Sequence, residues 1–273
     1  MVQYYGLFNT IRDGVTKITG ERDIAMKPQQ PPVTPPQREW YNIVEKLTPY
    51  VVRIWTPQGS GTGFFVSCSK NTPLCAVATA DHVINHAHYW EEPIRIEHIS
   101  SGKTLFLRQG DRAINTNPAT DTAAIIFERK DVVVPGDGVP LTPKDQHFKP
   151  GVEIGWLGFP AIPRANLCFF SGRISAWIEP ENAYLVDGVA INGVSGGPAF
   201  IIGDMLIGVV SSYIPNRATG EPLPGLAVVR GVNQYHELAQ EFETMDQAKA
   251  QETPPTEPPP PKQEGENQTK SGR

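Results

Sequence analysis

Between Tyr50 and Gly231 the chain breaks into short runs dense in β-branched and aromatic residues, each closed by turn-forming residues such as Gly, Pro, Asn and Asp. Twelve can be read in order: YVVRIW, TGFFVSC, LCAVATA, PIRIEHI, KTLFLRQ, TAAIIFE, VEIGWLGF, LCFFSGRISAW, AYLVDGVAI, PAFIIG, MLIGVVSSY and LAVVRG. Runs this short, and this rich in residues that crowd a helical backbone, fit the strands of a barrel or sandwich. The 25 glycines and 27 prolines supply the turn chemistry that so many short elements need. Two helical stripes frame the strands. Trp40, Ile43, Val44 and Leu47 follow an i, i+3, i+4, i+7 pattern that Pro49 ends, and Val232, Tyr235, Leu238, Phe242 and Met245 form a second stripe. An all-β class with two closed sheets follows.

The 273 residues suffice for a sizeable core in one two-lobed domain or two small ones. Outside the strand-rich span, residues 26–38 read MKPQQPPVTPPQR and the C-terminal stretch holds PPTEPPPP. Such segments favour extended, unpacked spacers. The expected organisation is an N-terminal extension with a proline-rich linker over 1–38, a folded domain over 39–248 and a disordered tail over 249–273. Within the domain, one barrel is expected over about 50–135, a second over about 148–231 and a closing helix over 232–248.

A net charge of -5, with no basic patch interleaved with aromatics, argues against nucleic acid as a partner. No apolar run approaches the ~18 residues that span a bilayer, so no membrane partner is expected. Arg12, Asp13 and Lys17 stand where the apolar core of a signal peptide would run. Three cysteines cannot all pair. Cys68 and Cys75 flank a hairpin turn where they could face each other, but the reading adopted is three reduced, partly buried thiols and a cytoplasmic location.

Chemistry concentrates in three segments. Asn192-Gly193-Val194-Ser195-Gly196-Gly197-Pro198 sets a serine between glycines that can take positive φ and bring backbone N–H groups close to a ligand oxygen. A serine hydroxyl is a weak nucleophile and needs a base, which in turn needs an orienting acid. His82, in Ala78-Thr79-Ala80-Asp81-His82-Val83, follows an apolar strand that can present it to a cleft. Asp121, in Thr120-Asp121-Thr122-Ala123-Ala124, precedes another such strand, where its carboxylate could fix the histidine tautomer. Asp111 and Asp131 are competitors for that role. His86 and His88 match no zinc spacing and read as solvated loop residues, so no metal or cofactor is expected.

The motifs T-A-D-H-V, D-T-A-A-I and G-V-S-G-G-P, in that order in a β-rich chain, resemble the trypsin-like serine proteases, with the disulfide-poor bacterial HtrA/Deg branch as the nearest likeness. Ser60-Gly61-Thr62-Gly63-Phe64, Gly155-Trp156-Leu157-Gly158-Phe159-Pro160 and Ser171-Gly172-Arg173-Ile174-Ser175 extend the likeness from about Ile43 to Leu238. The resemblance implies two antiparallel six-stranded β-barrels of the chymotrypsin type and a C-terminal helix. It also implies a polypeptide substrate and a catalytic triad of His82, Asp121 and Ser195. The backbone N–H groups of Gly193 and Ser195 would form the oxyanion hole. The strand through Ser211, Ser212 and Tyr213 would pair with an extended substrate, Ser211 would lie beside Asp121, and Val189, Ala190, Tyr213 and Gly225 would line an uncharged specificity pocket for small or medium apolar side chains. Tyr213 stands where the family usually has glycine and would narrow that pocket.

Val194 replaces the aspartate that pairs with a freshly cut N-terminus in the zymogen branch, so activation by such trimming is not expected. Intrinsic packing, a homo-oligomer contact or an activating protein partner must then hold the Gly193 peptide. A protease-fold module without turnover, binding peptides only, is the competing function. Gly193 to Gly197 also fits the G-x-S-x-G elbow of α/β-hydrolases, but that motif needs a helix after the serine. Pro198 and the strand-forming AFIIGDMLIGVV stand there instead.

Overall fold

The structure, a computed structural model, describes residues 40–215 and 222–252. The expected extension over 1–38 and the tail beyond Glu252 lie outside the described residues. In chain order the elements are α1 (Trp40–Leu47), β1 (Val51–Thr56), β2 (Gly59–Cys68), β3 (Leu74–Thr79), α2 (Asp81–Tyr89), β4 (Ile94–His98), β5 (Lys103–Leu107), β6 (Arg112–Asn117), β7 (Thr122–Glu128), β8 (Glu153–Gly158), β9 (Cys168–Ile178), β10 (Ala183–Asp187), β11 (Pro198–Ile201), β12 (Leu206–Pro215), β13 (Pro222–Gly231) and α3 (Asn233–Glu252).

The second half forms a closed barrel of six strands in the order β10-β13-β12-β11-β8-β9, as expected. The first half differs from a six-stranded barrel. It is a seven-stranded antiparallel sheet, ordered β5-β4-β1-β2-β3-β7-β6, with no ladder joining its end strands. Arg112, where β6 begins, spans the seam. Its guanidinium donates to the carbonyls of Leu107 at the end of β5 (2.8 Å), Glu92 after α2 (2.6 Å) and Ala87 in α2 (3.2 Å), so a side chain bridges β6 to β5 where no backbone ladder does. Burial lowers the Arg112 pKa, opposed by the nearby Asp111 charge.

Three apolar clusters hold these parts. Ile54, Phe65, Val77, Ile84, Ile96, Ile125 and Phe127 fill the concave side of the first sheet. Ile154, Trp156, Ile174, Tyr184, Ala199 and Val229 fill the second barrel. A third cluster lies between them, where Ile43 and Leu47 of α1 and Tyr235, Leu238 and Phe242 of α3 meet Phe64, Val66, Leu157, Phe200 and Val209. This sandwiching explains β2, whose residues 61–68 are buried on both faces rather than alternating. Both helical stripes therefore bury as their spacing dictates, and α3 runs to Glu252 rather than ending at 248.

One cysteine expectation is overturned. Cys68 and Cys75, paired across β2 and β3, form a disulfide, and only Cys168 is free. The bridged pair sits at 3% and 0% exposure inside the first sheet, where two facing thiols on adjacent antiparallel strands are close enough to join.

Candidate active site

His82 lies in the first turn of α2, directly after the chain leaves β3 through Ala80, whose extended backbone ends the strand. Asp121 closes the turn between β6 and β7. Its N–H bonds Pro118 O (3.3 Å), and it takes the left-handed conformation at φ 49, which a short acidic side chain tolerates. That twist carries its carboxylate under the start of α2. His82 Nδ1 lies 3.0 Å from Oδ1 and 2.9 Å from Oδ2, and the His82 backbone N–H donates to Oδ1 at 3.0 Å. Ser211 Oγ, from the buried part of β12, donates to Oδ2.

Burial opposes charge on Asp121, yet the His82 contacts and the Ser211 hydroxyl outweigh it and hold the carboxyl below the ordinary aspartate value. An ionised carboxylate only accepts, so Nδ1 carries the proton and Nε2 is left as the basic nitrogen. The competing acids are engaged elsewhere. Asp111 accepts from Arg108 N–H (3.0 Å), and Asp131 faces Lys103.

The serine loop is pinned from three directions. Ser195 O accepts from Thr62 N (2.8 Å), Gly196 N donates to Val210 O (2.7 Å), and Thr62 Oγ1 donates to Gly193 O (2.7 Å) while accepting from Phe159 N (2.9 Å). Gly196, at φ 87, lies so close to Thr62 that an added Cβ would stand 2.0 Å from its carbonyl oxygen. Val194, fully buried, packs against Gly158. Asn192 O accepts from Ala161 N at 2.7 Å. Because a trans peptide sets C=O and N–H on opposite sides, the Gly193 N–H points away from the 159–161 loop.

His82, Gly193 and Ser195 border one open cavity of about 210 Å³, with Thr56, Gln58, Gly59, Ser60, Val83 and Asn192. No hydrogen bond joins Ser195 Oγ to His82 among the described residues. Val189 and Ala190 sit on the loop after β10 and do not border this cavity; Val189 is exposed and Ala190 half-buried. Gly225 takes φ 80, and its carbonyl accepts from Gly188 N at 2.9 Å. The side chains of Ser212 and Tyr213 lie outside the described residues; their backbone forms part of β12, opposite Val228 and Ala227.

Three features escaped the sequence reading. His86 and His88 are on α2 rather than in a loop, and His86 Nδ1 contacts Glu92 at 3.0 Å. Thr62 stands in a sequence motif without catalytic atoms, yet its hydroxyl anchors the serine loop. Asp81 is 6% exposed beside the His82–Asp121 pair, with one buried carboxylate oxygen lacking a hydrogen-bond partner. Burial, then the Asp121 charge, raises its pKa.

No known family profile matches the chain, and no curated protein sequence matches it. Solved structures do. The serine endoprotease from Yersinia pestis is similar over 75% of this chain and 66% of that one, at 18% identity and a TM-score of 0.56. Deg5 is similar over 72% of this chain and 90% of its own, at 19% identity and a TM-score of 0.55. The Rv3671c protease of M. tuberculosis, in an inactive form, is similar over 73% and 92%, at 19% identity and a TM-score of 0.53. This chain thus spans just under two thirds of the Yersinia protein. It has the trypsin-like fold of these proteases, a closed six-stranded barrel beside a curled sheet.

Proposed function

We propose that the chain is a serine endopeptidase that cleaves peptide bonds through an acyl-enzyme on Ser195. The observation that carries this reading is the Asp121 carboxylate. It receives His82 Nδ1, the His82 N–H and Ser211 Oγ together, and His82 in turn borders a cavity that Ser195 shares. In this reading His82 Nε2 takes the serine proton as Oγ attacks the carbonyl and returns it to the leaving amine, while Asp121 holds the tautomer and stabilises the imidazolium. The N–H groups of Gly193 and Ser195 receive the developing oxyanion. The Ala161 contact that turns the Gly193 N–H outward supports that role, and the Thr62 and Val194 contacts support a loop held by intrinsic packing rather than by a partner.

The substrate strand would lie along β12, and Val189, Ala190 and Gly225 would favour small or medium apolar side chains before the scissile bond. A fluorophosphonate probe tests the reading. Wild-type protein should be labelled, whereas Ser195→Ala and His82→Ala should not, and Asp121→Asn should lower kcat by about 10³–10⁴. Failure of the folded wild type to label at pH 8 would favour the peptide-binding module instead, and an Asp121→Asn variant within a few-fold of wild type would remove Asp121 from the triad.

A further inference from the structure

One face of the first sheet carries two cations against a single acid beside the cleft. Trp55 on β1 stands opposite Ser60 on β2 and Arg95 on β4, and Arg53, two residues earlier on the same face, stands opposite Thr62 and Glu97. The Arg53 guanidinium carbon lies 4.3 Å from the Trp55 ring centroid, and that of Arg95 lies 4.7 Å from it. Arg53 also reaches over Phe159, at 5.7 Å. The Nε of each arginine is buried without a hydrogen-bond partner, and among the described residues neither guanidinium has an ion pair. Glu97, the one acid in the group, has its Oε2 on Trp55 Nε1 at 3.1 Å. Two cations share one indole and the single carboxylate of Glu97, in a chain of net charge -5.

Guanidinium groups held over an aromatic ring have already lost part of their rotamer freedom, so less is lost when their donors take a carboxylate. Charge-assisted pairing of that kind is the strong form of hydrogen bond, and it would relieve the repulsion between the two arginines. The position of the ladder says which ligand can deliver the carboxylate. Ser60 borders the cavity that holds Ser195, and Phe159 is two residues before Ala161, which anchors the Asn192 carbonyl. The ladder thus begins at the cleft wall formed by the Gln58–Ser60 turn, not at β12. If the acyl half of a substrate lies along β12, the leaving-group half crosses this turn. Each strand step is about 4.8 Å, so Arg95 lies about 10 Å from Ser60, the reach of about three extended residues.

We infer that Arg53, Trp55 and Arg95 form a carboxylate subsite for the leaving-group half of the substrate, reading an acidic side chain or a chain-end carboxylate about two to four residues past the scissile bond. The inference rests on the endopeptidase reading for its ligand. Its test does not require turnover. Full-length Ser195→Ala is titrated with Ala-Ala-Glu-Ala amide, Ala-Ala-Gln-Ala amide and Ala-Ala-Gln bearing a free carboxylate, at low salt, by NMR shifts or Trp fluorescence.

The Glu peptide should bind about two- to five-fold tighter than the Gln amide, the scale of one partly exposed ion pair. That ratio should fall toward one in Arg53→Met/Arg95→Met, and shrink at 0.5 M salt. Glu97→Gln, which removes the competing acid and leaves both cations, should raise the ratio and guards against a double variant that fails to fold. Tight binding of the free-carboxylate peptide assigns the site to chain ends, and tight binding of the Glu amide alone assigns it to side chains. Equal affinity for all three peptides, or an unchanged ratio in the folded double variant, overturns the subsite. Labelling of wild type by the fluorophosphonate, run in parallel, reports on the protease reading separately.

Discussion

Thr62 is fully buried between the two sheets, and its single hydroxyl serves both the Gly193 carbonyl and the Phe159 N–H. Valine has nearly the same shape but no hydroxyl, so Thr62→Val leaves both groups unsatisfied. The variant should lose about 1–3 kcal/mol of stability. It should also lower the rate of serine labelling about ten- to a hundred-fold, because the peptide that presents the Gly193 N–H is no longer fixed. Urea unfolding and labelling rates on the same sample check both. Asp81 behaves in the opposite sense. Its folded-state pKa is raised, mainly by burial, so its ionised form destabilises the fold at neutral pH and the penalty disappears once the group is protonated. Asp81→Asn, which removes the buried charge, should therefore be more stable than wild type at pH 7, by about 1 kcal/mol. The gain should fade as pH falls through the raised value toward about 4. Asp121, with a depressed pKa, contributes stability above the ordinary carboxyl range and loses it as pH falls through its own lower value. Denaturation midpoints of the Asp81→Asn pair across pH 4–8 test the sign, and a gain that grew on acidification would contradict it.

The β2–β3 hairpin links these residues to the end of α3. Its turn is closed by the Cys68–Cys75 bridge. Asp246 of α3 accepts from Ser69 Oγ, Lys70 N (2.9 Å) and Asn71 N (3.2 Å), and its backbone carbonyl takes Asn71 Nδ2 at 2.9 Å. Closing so short a loop removes only modest entropy from the unfolded chain, so Cys68→Ala/Cys75→Ala should lower stability by about 2 kcal/mol. Reductant should lower the urea midpoint of wild type and leave that of the variant unchanged. The cytoplasmic expectation drew on three reduced thiols, and that support goes with the bridge. At this scale the limits of sequence reading have physical causes. RAINTN gave no strand signal because β6 alternates half-buried and exposed positions with few apolar residues, and its pairing partner β7 supplies the missing hydrophobicity. Asp81 to Tyr89 did not read as a helix because only Asp81, Ile84 and Ala87 turn inward and one of them is charged. By contrast α1 and α3 were legible from their periodic stripes, and the strands around His82, Asp121 and Ser195 from short apolar runs buried on both faces. The Thr62 and Asp81 environments join segments far apart in sequence and leave no local pattern.

At the scale of the molecule, the proposed catalytic residues come from both sheets. His82 and Asp121 flank the first, and Ser195 and Ser211 belong to the second. Their alignment therefore depends on the cluster that joins the sheets, to which α1 and α3 contribute Ile43, Leu47, Tyr235, Leu238 and Phe242. Tyr235, fully enclosed, sends its hydroxyl toward the carbonyls of Thr79 and Ala123 at 3.4 Å each, the strand ends next to His82 and Asp121. A shared core of this kind couples the halves, so neither sheet should open while the other stays folded, and unfolding should be a single transition. Phe242→Ala removes a buried ring, 4% exposed, far along α3 from the cleft. It should lower stability by about 3 kcal/mol while leaving the labelling rate of the folded protein close to wild type. Loss of serine labelling and loss of Trp fluorescence should then shift together along the urea axis. Two separated transitions, or labelling that survives after half of the fluorescence change, would show that the sheets unfold independently and that the joining cluster does not hold the site.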